Sequence, residues 1–382
     1  MRAPVPLALV GGHVYSELLD VTADTTALDH GGQWVVVVPF DGPTLCARFA
    51  CRTPHSGHRD AAGRPRTGTP RTGTPRTGTP RTGTPRTGTP RTGERWIGPR
   101  LDEWVSSLDR PDFEKGVLAI HDAIRAGDVY QVNLTRLLRA PLPARVPTGR
   151  TTDITALGET LAQGNPAPWS AVVRLPDQGI HIASASPELF LQRSGRTVRS
   201  MPIKGTATTP DGFTAKDRAE NVMIVDLVRN DLGRVCEYGS VDVPLLLGVE
   251  LHPGLAHLVT TVTGRLRPNA GWAELLGASF PPGSVTGTPK EAALTHIARL
   301  EPVSRGPYCG AIGWVDAERG EGALNVAIRT FWIEEDTLCF GTGGAITIDS
   351  DPSDEWAETE LKARHLVAIA SEPAGEKSVR GA

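Results

Sequence analysis

Hydrophobic and polar positions repeat in two rhythms along this chain of 382 residues. A period of two, rich in β-branched and aromatic residues, marks strands, and a period near 3.6 marks amphipathic helices. Short apolar runs at Trp34–Pro39 and Thr44–Cys51 predict strands near the start. Residues 111–126 then carry Val117, Leu118, Ile120 and Ile124 at helical spacing, with Gly127 placed to end the helix in a left-handed cap. A strand is predicted over 129–134, a helix over 154–162, a turn over 165–169 and a hairpin from 170–175 to 179–184 around Asp177-Gln178-Gly179. Two strand-like runs between Ser184 and Thr206 flank a turn at Ser194-Gly195. Next come a helix over 215–229, a strand over 241–251, a run over 255–262 that fits either state, and a helix over 271–279. A loop rich in Gly, Pro and Thr spans 280–290, followed by a helix over 291–300. Strands over 308–316, 322–334 and 337–348 and a helix over 354–370 complete the pattern. Runs of strands mixed with helices, without regular βαβ alternation, predict an α+β fold with largely antiparallel sheets.

Composition changes this picture in one region. From Pro65 the unit PRTGT occurs five times, and a sixth copy stops at Gly93. It has no apolar face and cannot support a packed core. The pattern therefore divides the chain into an N-terminal β-rich subdomain (1–60), a low-complexity loop (61–95), a catalytic domain (96–370) and a polar tail (371–382). The net charge is −3, but the repeat holds six Arg and no acid, so the rest of the chain carries −9. Such a body has no bulk attraction for nucleic acid or anionic membranes, and an anionic substrate needs a metal or local cations at its site. Five scattered Cys without a C-x-x-C argue for reduced thiols and against structural zinc. No run approaches the roughly 20 apolar residues that span a bilayer. A cytoplasmic location is expected.

Several residue groups invite a chemical reading. Glu188 and Lys204 lie on the two runs around Ser194-Gly195; in one cleft they would pair a general acid with an amine. Lys204 acts as a nucleophile only when neutral, which requires burial or a nearby cation; otherwise it is a solvated strand lysine. Asp217 and Glu220 begin one helix, and Glu355 and Glu358 begin another, with Lys362 one turn beyond. Positions three apart share a helical face. Two such faces opposed make an all-oxygen site suited to Mg²⁺, although acids at helix starts also complement the macrodipole. The run Gly341-Thr342-Gly343-Gly344 brings backbone amides within reach of an anion or is a plain glycine-rich turn or strand; no Gly-Lys-Ser/Thr follows it. Arg329 in NVAIRT suits a carboxylate. His257 and Thr288 are scattered polar residues in apolar or Gly/Pro-rich surroundings.

Taken together, these stretches resemble the chorismate-utilising enzymes, a family that includes anthranilate, aminodeoxychorismate, isochorismate and salicylate synthases. The resemblance runs from about Phe113 to Ala368. It rests on GDVYQVNL (127–134), SASPELF (184–190), PIKGT (202–206), DRAENVMIVDLVRNDLGRV (217–235), HLVTTVTGRL (257–266), PPGSVTGTPK (281–290), GPYCGAIGW (306–314), NVAIRT (325–330), GTGGAIT (341–347) and ETELKA (358–363). It implies the chorismate-binding α+β fold, with largely antiparallel sheets sandwiched with outer helices. It implies Mg²⁺ held by Glu220 and Glu358, with Asp217 and Glu355 acting through water and Lys362 beside them. Arg329, Tyr308 and the backbone of Thr342, Gly343 and Gly344 would hold the enolpyruvyl carboxylate of chorismate. Thr288 and His257 would also line the substrate site. Glu188 would be the acid that protonates the departing C4 hydroxyl. Gln131 stands where isochorismate and salicylate synthases carry a lysine, and Lys204 stands where anthranilate synthases carry alanine. Gln131 thus disfavours the first two branches, and Lys204 resembles the aminodeoxychorismate branch, in which a lysine adds to C2 and ammonia then replaces the C4 hydroxyl on the way to 4-aminobenzoate and folate. Ammonia would come from a glutamine amidotransferase subunit. NPAPWS (165–170) resembles one wall of a second pocket, for tryptophan.

Overall fold

The computed structural model describes residues 5–55, 95–207, 209, 211–252 and 255–372; the PRTGT repeat and the last ten residues of the predicted tail lie outside them. Most strands join one continuous antiparallel sheet. One end is Gln131–Pro141, flanked by the short strands Val105–Ser106 and Gly287–Thr288. The order continues through Thr337–Ile346, Thr330–Glu334, Ile180–Ser184 and Ala171–Leu175. It passes into the N-terminal strands Leu7–Val10, His13–Thr22, Leu45–Pro54 and Gln33–Val38. Then come Ala311–Asp316, Glu321–Val326, Leu189–Ser194, Thr197–Met201 and Leu255–Arg265. Asp242–His252 pairs with the far side of Leu255–Arg265, and Ile203–Ala207 continues Thr197–Met201 along its near side. A separate parallel ribbon joins Arg95–Trp96 to Arg150–Thr151. The N-terminal strands thus sit inside the sheet, and Val35, Val36 and Val37 are fully buried, as expected for a strand covered on both faces.

Six α-helices cover the sheet: α1 (Arg110–Ala126), α2 (Ile154–Gly164), α3 (Ala215–Gly233), α4 (Trp272–Ser279), α5 (Lys290–Leu300) and α6 (Pro352–Ala370). Asp109 caps the start of α1 through the Asp112 N–H, and Gly127 ends it at φ 83°, a left-handed value that glycine adopts without cost. The helices α2 and α6 pack on Leu138, Ala183, Phe331 and Phe340. The pair α1 and α5 covers Val132, Leu134 and Ile346. Residues of α3 and α4 join the main core with Phe190, Val198 and Val262. The fold is therefore α+β with antiparallel strands and outer helices. No helix among the described residues is long and apolar enough to cross a membrane, and the five cysteines are free.

One expectation changes in a way that bears on the site. The predicted strand 322–334 is two strands, broken at Ala327–Arg329, with Arg329 at φ 52°. The alternation of apolar residues continues through the break, so the pattern alone hides it. The predicted strand over 337–348 is present as Thr337–Ile346 and carries the glycine-rich run, paired along Gln131–Pro141. The break at 327–329 lies beside a second crossing, Ala185–Glu188. At these two segments a pair of neighbouring strands leaves one half of the sheet and enters the other, as at the corner of a packed sandwich. The corner is tied by Ala185 N–H to the Arg329 carbonyl (3.0 Å), Val326 N–H to the Glu188 carbonyl (3.1 Å) and the Ser186 hydroxyl to the Val326 carbonyl (2.6 Å).

Candidate active site

Glu188 enters the site from that corner. Its N–H bonds the Ser186 hydroxyl (3.2 Å), so the first Ser of SPE serves backbone geometry. The carboxyl is buried (4% exposed). Burial pushes its pKa up to about 7, against the opposing pull of the Ser284 hydroxyl, the Lys204 ammonium and the Ile203 N–H. A carboxyl that keeps its proton near neutrality suits general-acid work.

Lys204 reaches the same place by a bulge. Ile203 pairs with Val259 and Thr206 with His257, so one extra residue sits on the lysine strand between those points. A bulge re-aims a side chain, and here Gly205 makes it with φ +88°. A Cβ on Gly205 would lie 2.9 Å from the Asp217 Cβ. Gly205→Ala should therefore lower Tm and activity together, with a loss of about 1–3 kcal/mol for a strained position; thermal melts and turnover of one preparation check this. Burial lowers the Lys204 pKa, and Lys362 adds to that; Glu220, Glu188 and Glu358 pull it the other way. The same interactions show which side chains share the cleft.

The acids arrive from α3 and α6. Glu220 is held above the ordinary carboxylate range by burial, helped by Glu355 and Glu358 and opposed by Lys204 and Lys216. Burial also raises Glu358, but the Lys362 ion pair at 2.6 Å, with Lys204 and Lys216, brings it below that range. Glu355 is buried and accepts from the Ser350 hydroxyl (2.6 Å) and from Lys216 (3.1 Å), which also lies 3.8 Å from Glu220. The Glu355 Oε2 lies so close to Gly344 that a Cβ there would sit 2.9 Å away. Glu188, Lys204, Glu220, Glu355, Glu358 and Lys362 thus form one charged cluster.

Among the described residues, no three acidic or imidazole side chains gather in a metal-binding arrangement. The donor set still fits Mg²⁺, which takes one or two carboxylates and keeps several waters. Glu220 and Glu358 are hard oxygen donors on opposed helices, and Glu358 is about half exposed at the mouth of the cleft.

The glycine-rich strand offers backbone. Beyond Phe340 it has only the Gln131–Pro141 strand as partner, so its other edge is free. Thr135 faces Gly343, but its N–H bonds Glu301 (2.8 Å). Gly343 is therefore in a non-hydrogen-bonded pair, with its N–H and C=O turned to the open edge. Lys362 takes that carbonyl at 3.0 Å, which leaves the N–H for an anion. The Thr342 hydroxyl is committed to the Thr359 carbonyl (2.9 Å).

The remaining predicted residues fall out differently. Arg329 is part-buried, its pKa is lowered by burial alone, and no carboxylate pairs with it among the described residues. Tyr308 is buried with its ring against Gly341, where a Cβ would meet it at 2.2 Å; its polar surroundings are Cys309 and Arg305. His257 is buried on its strand between Thr206 and Glu250 of the neighbouring strands. Asp217 closes a capping box with Thr214, whose N–H and hydroxyl bond its Oδ2 at 2.8 and 2.7 Å. The Thr288 hydroxyl is buried with no hydrogen-bond partner, and both amide atoms of Gln131 opposite it are in the same state. Groups in that state are built for a ligand or water.

Sequence reasoning missed Lys216 and Ser284. An i,i+4 scan from Glu220 finds Lys216, whereas nothing local links Ser284 to Glu188.

Residues 90–368 match the family model described as chorismate binding enzyme. The chain is 39% identical over 276 residues to anthranilate synthase component 1 of Streptomyces coelicolor, covering 69% of this chain and 52% of that protein. It is equally identical over 276 residues to aminodeoxychorismate synthase component 1 of Klebsiella aerogenes, covering 69% and 59%. The chain thus spans a little over half the length of these two curated relatives. The menaquinone-specific isochorismate synthase of Escherichia coli superposes with a TM-score of 0.70 at 17% identity, over 96% of this chain and 89% of that one. With the motifs in order, the site assembled at the sheet corner and more than half the chain matched, the protein belongs to the chorismate binding enzyme family.

Proposed function

We propose that this protein aminates chorismate at C4, the reaction named in its aminodeoxychorismate synthase relatives. The observation that carries this reading is Lys204, placed by a glycine bulge beside a proton-bearing Glu188 and held toward its neutral form by burial and Lys362. The neutral amine adds to C2 of the ring. Both double bonds of the conjugated ring shift, and the C4 oxygen leaves as water with the Glu188 proton. Ammonia adds at C4, both double bonds return, and the Lys204–C2 bond breaks. The C4 ammonium gives its extra proton to the Glu188 carboxylate, which restores the acid. Splitting one hard substitution into two steps is the benefit of the covalent route.

The chain's other residues bind and orient. Glu220 and Glu358 would hold Mg²⁺, with Glu355 behind them. The metal supplies a positive anchor for the ring carboxylate. Arg329 and the open Gly343 N–H take the enolpyruvyl carboxylate. The name "component 1" in the relatives supports a separate glutamine amidotransferase as the ammonia source.

A second reading is anthranilate formation, because relatives of both names match at the same 39% identity. Purified protein given chorismate, Mg²⁺ and an ammonium salt separates the two. 4-Amino-4-deoxychorismate is the expected product; anthranilate appearing without added lyase would sink the first reading.

A further inference from the structure

Between Glu188 and the C-terminal part of α3 lies a cavity of ≈ 10 Å³, near the lower limit for one water molecule. Its walls include Glu188, Ser284, Ser279 and Asp231. Ser279 is 3% exposed and its hydroxyl has no hydrogen-bond partner. Asp231, near the C-terminal end of α3, is 5% exposed. Lys290, the first residue of α5, reaches it at 2.7 Å and also donates to the Ser279 carbonyl at 2.9 Å. Each charge opposes its own helix macrodipole: an anion at a C-terminus and a cation at an N-terminus. Two local rules broken together, around an unsatisfied hydroxyl and a water-sized space, mark a feature kept for a reason other than helix stability.

We propose that Asp231 is a positioning residue for the acid: through one water held in this cavity by Ser279, it keeps Glu188 in its proton-bearing form. Without substrate, the Glu188 carboxyl donates its one O–H to the water, and that O–H turns into the cleft when the C4 hydroxyl is bound. The water in turn donates to the Asp231 carboxylate, which Lys290 fixes in place. Lys204 is the charged group that acts on Glu188 from the cleft, and Lys290 and Arg234 act on Asp231; the cavity whose wall the two carboxyls share is where they meet. Burial raises both carboxyls, but the Lys290 ion pair holds Asp231 toward its charged form, so Asp231 is the group that stays ionised and supports the proton on Glu188. This rests on the reading of Glu188 as the acid, but the state of its carboxyl can be measured without turnover.

The experiment follows the Glu188 carboxyl by ¹³C NMR on glutamate-labelled protein, assigned by its absence in Glu188→Gln, alongside the pH profile of kcat at saturating chorismate. In Asp231→Asn the Glu188 midpoint and the alkaline limb of kcat should both move to lower pH, by about half a unit or more, the scale of one nearby charge. Ser279→Ala removes only the unsatisfied hydroxyl, should leave Tm unchanged, and should move both readouts the same way by less. It keeps the test open if Asp231→Asn fails to fold with Lys290 unpaired. Midpoints equal to wild type in folded variants overturn the proposal. So does a uniform fall in kcat with an unmoved limb, which would show a packing role. A shifted midpoint in protein that does not aminate chorismate would leave the linkage standing and sink the reading of the reaction.

Discussion

Replacing Lys204 with alanine should abolish C4 amination, with a loss of about 10³-fold or more, the scale seen when a covalent nucleophile is removed. The fold should survive. A desolvated amine contributes no favourable burial, so Tm should stay level or rise. Mass spectrometry gives the decisive reading: a ring adduct trapped on wild-type protein should be missing from the variant. Lys204→Arg should not restore turnover, because a guanidinium stays charged at every working pH. If arginine restores the rate, Lys204 acts as a fixed cation for the substrate rather than as a nucleophile.

Glu188→Gln should lower kcat by about 10²–10⁴-fold, the range for a lost general acid, with little change in KM. It also carries a stability signature of known sign. The Glu188 carboxyl is raised from 4.5 to about 7, so the folded protein binds this proton more tightly than the unfolded chain does. The stability this confers is full below about pH 4.5 and is lost as pH rises through about 7. The difference amounts to roughly 3 kcal/mol once the group ionises. Glutamine cannot ionise and escapes that loss. Thermal melts should therefore show the variant more stable than wild type at pH 8, with the gap closing toward pH 5. Parallel Tm curves across that range would mean that the carboxyl is not buried as described.

Much of this site is legible in the chain because its parts are local. The acids of α3 and α6 announce themselves by three-residue spacing at helix starts, and PIKGT holds both the lysine and the glycine of its bulge. Other parts are set only by tertiary contact. The Lys290–Asp231 pair joins residues 59 apart, and Ser284 reaches Glu188 from a loop with no periodic signal. The break at Ala327–Arg329 is hidden because apolar side chains continue through it while the backbone turns a corner. Asp217 shows the reverse case. Its spacing suggested metal chemistry, yet its carboxylate closes a helix cap. Spacing places a side chain on a face without saying which neighbour takes its oxygens.

The position of the first strands has a consequence for how the protein tolerates change. The family match starts at residue 90, but Leu7–Val10 and Gln33–Val38 carry the sheet from Ala171–Leu175 across to Ala311–Asp316. What these strands supply is a ladder of main-chain amides and carbonyls, which almost any β-forming sequence provides. Selection can therefore let their side chains drift while forbidding their loss. A truncation that keeps every recognisable motif but starts after residue 54 would cut the strand ladder that joins the half of the sheet holding the Gly343 edge to the half holding Lys204, and leave the corner bonds at Ala185–Glu188 and Val326–Arg329 to hold them together. The least recognisable part of the chain is thus the part that keeps nucleophile and anion site in one frame.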